Sequence, residues 1–166
     1  MSDSGSGRPQ LPPLALPPVD LRLRREDGIL KVWDALRLKF VALTPEEYVR
    51  VHFVDWLMKT KGYPAGLLAN EYPIEVNGCR RRCDTIAFTP EGEPLLIVEY
   101  KAPTVAVSQN VFDQIVRYNM ALHARYLVVS NGLNHYCCVV DYARHSYHFI
   151  PEIPDYGALR RLHGDN

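Results

Sequence analysis

The chain has no excess of charge of either sign: nineteen Lys and Arg balance nineteen Asp and Glu over 166 residues, leaving a net charge of zero. A domain that coats polyanions is usually basic, so any affinity for phosphate backbones must come from a local patch and be modest without further domains. Long apolar runs are missing as well. None approaches the roughly twenty residues needed to cross a bilayer. The first nineteen residues, rich in Pro, Gly and Ser, lack the basic start and continuous apolar region of a secretory leader. The expectation is a cytoplasmic protein with no membrane contact. There is no Gly-x-x-x-x-Gly-Lys-Ser/Thr loop for an ATP-driven motor and no Gly-x-Gly-x-x-Gly loop for a dinucleotide. The six histidines form no recognised metal-ligand spacing. Of four cysteines, Cys137 and Cys138 are adjacent and would point to opposite faces of a strand. A zinc site shared with Cys79 and Cys83 is therefore awkward, and reduced, partly buried thiols are the simpler reading.

With 47% hydrophobic residues, the chain can bury one core and should form one domain. The predicted organisation is a flexible tail over residues 1–19, a folded domain over 20–150 and an extension over 151–166. Residues 21–25 and 29–33 flank Asp27-Gly28 as a hairpin. Thr44 is an N-cap with Pro45 at the first helical position, and Glu47 completes a capping box, so a helix runs over 44–59. Val51, Val54 and Met58 follow Glu47 on the stripe expected to face inward. Strands are predicted near 71–76, 82–88 and 95–101, then a helix over 111–122. Further strands follow at 126–130, 135–140 and 147–149, with Asn131-Gly132 turning between two of them. The fold class is α/β, a mixed central sheet flanked by helices.

One hairpin concentrates the chemistry. Leu95 to Tyr100 is an apolar run between Pro94 and Pro103, too short for a helix and suited to a buried strand. Alternation places Glu99 and Lys101 on one face. A charged pair at the end of such a strand must reach solvent or hold a partner. Asp84 begins the preceding strand-like run, and the turn-rich segment 89–94 would fold it back beside Glu99 and Lys101. Two hard carboxylates suit Mg²⁺ or Mn²⁺, which lowers the pKa of a bound water and polarises a phosphate, while Lys orients that water or offsets developing charge. The ordinary reading of a lone Glu-x-Lys is a weak edge ion pair. Asp84 at hairpin distance shifts the balance toward phosphodiester hydrolysis.

Asp84 with Glu99-Tyr100-Lys101 resembles the PD-(D/E)xK nuclease signature. The surroundings resemble the N-terminal nuclease domain of type I restriction enzyme R subunits from about residue 21 to 141. The likeness is carried by Thr44-Pro45-Glu46-Glu47-Tyr48-Val49-Arg50, Gly62-Tyr63-Pro64, Glu71-Tyr72-Pro73, Arg80-Arg81-Arg82-Cys83-Asp84, the segment from Pro94 to Pro103, and Asp113-Gln114-Ile115-Val116-Arg117-Tyr118-Asn119. Cys83 stands where the signature's name has Pro. The resemblance implies a restriction-endonuclease-like core. It also implies a Mg²⁺-dependent endonuclease (Mn²⁺ as the substitute), with Asp84 and Glu99 as metal ligands and Lys101 at the attacking water. In that family an acidic residue on the first core helix joins the metal site, which carries over to Glu47 as a further group holding the metal or a second water, with Glu46 and Glu71 as competitors; the ordinary role of Glu47 is the helix cap.

Gln114-x-x-x-Tyr118 matches the Gln-x-x-x-Tyr element of this branch. One turn apart on a helix face, the two side chains either pack at the rim of the sheet or contact a nucleic-acid backbone, and Arg117 flanks them. Arg80, Arg81 and Arg82, with Lys101, Arg117 and Arg125, supply a local basic patch, although an arginine run also guards a strand edge. The implied partners are DNA and either a second copy of the chain or separate targeting and motor subunits. A non-cutting nucleic-acid-binding or assembly module of the same fold is the competing expectation.

Overall fold

The computed structural model describes residues 11–163, with the side chains of Tyr118, Met120, Leu162 and His163 left aside. The first ten residues of the predicted tail thus lie outside the described residues. The chain opens with an antiparallel sheet of β1 (Leu23–Glu26), β2 (Ile29–Asp34) and β3 (Lys39–Ala42). Asp27 and Gly28 both take positive φ, 50° and 78°, as the predicted two-residue hairpin requires. After α1 (Pro45–Lys59) and a single 3-10 turn at Ala65–Leu67 comes a six-stranded sheet ordered β4-β5-β6-β7-β8-β9. Its strands are β4 (Leu68–Val76), β5 (Cys79–Phe88), β6 (Pro94–Tyr100), β7 (Tyr126–Ser130), β8 (His135–Asp141) and β9 (Ser146–Ile150), with α2 (Gln109–Leu122) between β6 and β7. Only the β6–β7 pair is parallel, and the helix between them provides the crossover that such a pair needs.

Period-two alternation along β6 divides the interior into two layers. Leu96, Val98 and Tyr100 pack with Val49, Phe53 and Leu57 of α1, whereas Ile97 packs with Phe112 and Ile115 of α2. The result is the predicted mixed sheet between helices. The face of α1 differs from the expectation. Val49, Phe53 and Leu57, four residues apart, are fully buried, while Val51 and Met58 are partly exposed. Those two line, with Val54, a cleft shared with Trp33 and Asp34. The helix therefore has two covered sides, and the predicted stripe is the one turned toward β2.

The expected boundaries at residues 19 and 150 cut through packed chain. Pro12 O accepts from Tyr48 Oη at 2.7 Å, Ala15 N donates to Gly132 O at 2.8 Å, and Leu16 packs on the α1 layer. Gly132 has φ 84°, and a Cβ there would meet Leu14 Cδ2 at 2.7 Å, so this strap passes where only glycine leaves room. At the other end, α3 (Tyr156–His163), not predicted from the sequence, puts Tyr156 and Leu159 into the core, and Ile153 joins them from the segment before it. Tyr63 Oη donates to Pro154 O at 2.8 Å, fixing its approach. β3 was also not predicted, its four residues offering too short a pattern. Leu159 is fully buried, so Leu159→Ala should lower the unfolding free energy by about 2–5 kcal/mol in urea denaturation; an effect near zero would make α3 a dispensable appendage.

Candidate active site

β5 and β6 run paired from Ala87↔Leu96 to Thr85↔Val98, then separate as β6 continues against β7 through Glu99↔Val129 and Tyr100↔Ser130. Lys101 N still donates to Ser130 O at 2.9 Å. In the fork, Asp84 Oδ2 accepts from Tyr100 N at 2.9 Å, so a side chain takes up a backbone donor at the point of separation. The opening is a cavity of about 340 Å³ lined by Thr44, Glu46, Glu47, Arg50, Glu71, Asp84, Glu99, Tyr100 and Lys101. The structure thus brings together Asp84, Glu99 and Lys101 as the hairpin predicted, and draws α1 and β4 to the same place.

The carboxyl groups of Asp84 and Glu99 are hydrogen-bonded to each other. Burial pushes both above the ordinary carboxylate range. Glu99 reaches about 8, through burial first and then the neighbouring Asp84 charge, with Lys101 opposing. Burial likewise raises Asp84, against the Tyr100 N–H and the Arg50 guanidinium. Burial and mutual repulsion therefore favour one proton shared by the pair over two ionised carboxylates.

Arg50 organises the opposite wall and was assigned no role by sequence. Only 5% exposed, it donates from Nε to Glu47 Oε2 at 3.1 Å and from Nη2 to Glu47 Oε1. Its Nη1 reaches Glu71 Oε1 at 2.8 Å and Asp84 O at 2.9 Å. Burial works against its charge, but Glu47 and Glu71 outweigh that and raise its pKa further. Arg37 Nη2 also donates to Glu47 Oε1, at 2.7 Å, and Arg37 Nε bonds Asp34. Burial alone would raise Asp34, yet the Arg37 N–H, the Asn70 amide and the Arg37 side chain hold it below the ordinary value. From Asp34 Oδ2 a second arm returns through Asn70 Nδ2 at 3.0 Å, then Thr85 Oγ1 to Asn70 Oδ1 at 2.7 Å and Tyr100 Oη to Thr85 Oγ1 at 2.9 Å. The first sheet is thereby wired to both strands of the fork.

Several expected contributors are placed differently. Thr44 Oγ1 accepts from Glu47 N at 3.1 Å, but Thr44 N donates to Ala42 O, so half of the capping box is present. The Glu47 carboxylate is instead engaged by Arg37 and Arg50, because two guanidiniums compete for it more strongly than one amide. Glu71 sits mid-strand with φ 55°. The register Asn70↔Thr85 and Tyr72↔Cys83 on either side shows no inserted residue, so the strand turns at Glu71 without a bulge as its carboxylate meets Arg50. Gln114 and Arg117 are exposed on α2 and do not line the cavity. Ile115 is the inward position, which turns its neighbours roughly 100° and 200° away. The Tyr118 side chain lies outside the described residues. Arg81 and Arg82 line a second cavity of about 280 Å³ that reaches Glu99 from the α2 side. The Glu47-x-x-Arg50 spacing was the one available signal for Arg50; nothing local marks Asp34 or Arg37.

The raised Glu99 carboxyl has a consequence for stability. An unfolded chain loses that proton near 4.5, whereas the folded chain keeps it to about 8. Between those values the folded state binds more protons, so its contribution is fully present below the window and lost as pH rises through it. Urea midpoints measured from pH 5 to 8 should fall more steeply for the wild type than for Glu99→Gln. Equal slopes would contradict the shared proton.

Comparison with known proteins gives these features a family. Residues 45–154 match the family described as type I restriction enzyme R protein N terminus (HSDR_N). No curated protein matches the chain. Among solved structures, a fragment assigned to an HsdR subunit of a type I restriction enzyme from Vibrio vulnificus YJ016 superposes with a TM-score of 0.53 at 22% identity. That likeness covers 74% of this chain and 26% of the other, so the chain spans about a quarter of that relative. At such identity the likeness speaks for the fold, the mixed sheet between helices. With the family match extending from the first turn of α1 to just before α3, the chain belongs to the type I restriction enzyme R protein N-terminal family.

Proposed function

We propose that this domain is a metal-dependent endonuclease that hydrolyses DNA phosphodiester bonds at the β5–β6 fork. The observation that carries the reading is the buried, hydrogen-bonded Asp84–Glu99 carboxyl pair beside Lys101 in an open cavity. A proton shared between hard oxygens marks a place where a divalent cation relieves the same repulsion. The donor set fits Mg²⁺, or Mn²⁺, in chemistry: Asp84 and Glu99 supply oxygens, and water fills the remaining positions, as Mg²⁺ favours. Among the described residues no group of three His, Cys, Asp or Glu side chains is arranged to hold a metal ion. Glu47, expected as a ligand, and Glu71 are given over to Arg50 and Glu46 is exposed to solvent, which leaves Asp84 and Glu99 as the ligands. When bound, the ion would polarise the phosphate and lower the pKa of a coordinated water.

The chain's own groups do the rest. Lys101 carries its ammonium on the cavity wall beside Glu99, where it orients the attacking water and offsets charge on the phosphate. Tyr100, fully buried on the α1 side and bonded to Thr85, fixes the strand between the two charged residues. Asp84 is held from both sides, its carboxylate by Tyr100 N and its carbonyl by Arg50. This rigidity keeps the ligands in place without reorganisation during reaction. Targeting would come from other subunits of a restriction enzyme, consistent with a chain of zero net charge. No described helix is long and apolar enough to cross a membrane; in this reading the domain acts on DNA in the cytoplasm.

The test is cleavage of plasmid and single-stranded DNA with and without Mg²⁺. Wild type should cut only with the ion, and Asp84→Asn and Lys101→Ala should each reduce the rate by about a hundredfold or more. Unchanged cutting by both variants would remove these residues from the mechanism. DNA binding with no cutting by the wild type would favour the non-cutting module.

A further inference from the structure

Five carboxylates line one cavity; Glu46 is exposed to solvent, and the other four, Glu47, Glu71, Asp84 and Glu99, would on charge alone suit two divalent cations, the arrangement many phosphodiester-cleaving centres use. The geometry divides them. Glu47 gives both oxygens to Arg50 and shares one with Arg37. Glu71 turns out of its strand to meet Arg50 Nη1 at 2.8 Å, and the same nitrogen reaches Asp84 O at 2.9 Å. The guanidinium thus fills the space between α1, β4 and β5 that a cation bridging Glu47, Glu71 and Asp84 would occupy. Its charge is permanent, since an arginine so paired does not deprotonate.

We propose that Arg50 stands in the place of a second divalent cation, so that the centre takes one ion per chain, on Asp84 and Glu99. The inference rests on the metal-dependent reading above and deepens it. Charge supports it: Glu47, Glu71, Asp84 and Glu99 when ionised bring four negative charges against the two positive charges of Arg50 and Lys101, while Arg37 and Asp34 cancel each other, so a deficit of two remains that one divalent cation covers. A second ion would have to displace a buried guanidinium that already satisfies its ligands, at the full cost of leaving that charge unpaired. Arg50 is a positioning residue here, acting through Glu71, Glu47 and the Asp84 carbonyl. Arg37, itself held by Asp34, bonds the Glu47 carboxylate that Arg50 also engages, so the first sheet helps to decide how many ions enter.

The test counts Mn²⁺ bound to the full chain at pH 8.5 by the paramagnetic resonance of free Mn²⁺, a readout independent of cleavage. The wild type should take one ion, Arg50→Lys one, and Arg50→Met two, as the released acids gain a cation. Glu71→Gln should keep one ion with affinity weaker by about tenfold, whereas Asp84→Asn should lose it. Two ions in the wild type, or one in an Arg50→Met protein whose circular dichroism shows it folded, would overturn the proposal. So would loss of the ion in Glu71→Gln, which decides the matter if Arg50→Met does not fold. A wild type that takes no Mn²⁺ at millimolar concentration would instead sink the metal-dependent reading itself.

Discussion

A guanidinium cannot lie inside a protein unless its charge is matched where it sits, and Arg50 imposes that requirement on three elements at once. Its donors draw Glu47 inward from α1, turn Glu71 out of a regular strand at φ 55°, and hold the carbonyl of Asp84 on β5. Each response has a local cost. Glu47 gives up the reciprocal half of a capping box, and Glu71 adopts a backbone conformation that side chains with a Cβ disfavour. The arrangement persists because the alternatives leave a buried charge unpaired, which costs more than either.

The same requirement explains why a small antiparallel sheet belongs to this domain. Asp34 and Arg37, at the β2–β3 connection, extend the alternation of charge from the surface to the cavity. Asn70, Thr85 and Tyr100 close the circuit through neutral hydrogen bonds. A network with every member satisfied is rigid in a way that a pairwise contact is not. Rigidity has value at the β5–β6 fork, where two carboxyls are kept within hydrogen-bonding distance against their own repulsion. Charge across the chain sums to zero, yet the cavity is a strongly patterned field, so composition is a poor guide to what this surface can hold.

Much of the site was legible because its signals are local. An apolar strand ending in Glu99-Tyr100-Lys101, a turn-rich segment and Asp84 suffice to predict a hairpin, and the hairpin brings those three residues to one cavity. Thr44 and Pro45 mark the start of α1 for equally local reasons. Only its spacing from Glu47 marks Arg50 locally, and an arginine on an amphipathic helix ordinarily reaches solvent. Gln114 and Arg117 show the opposite limit: helical spacing places them on α2 but leaves the rotation of that helix to Phe112 and Ile115, which take the sheet. The ends of the domain were misjudged because Pro-rich residues 11–19 and the short α3 have weak patterns of their own and gain order only by packing on α1 and β8.

The sequence by itself determined the alternation that builds the mixed sheet, the hairpin that pairs Asp84 with Glu99, and the helix caps, because each depends on residues close in the chain. Tertiary structure decided which acids pair with the buried arginine. Glu47 and Glu71 are twenty-four residues apart in number and equivalent in chemistry to Asp84 and Glu99; only the packing of α1 against β4 and β5, with a buried arginine between them, pairs the first two with an internal cation and leaves the second two to each other and to Lys101.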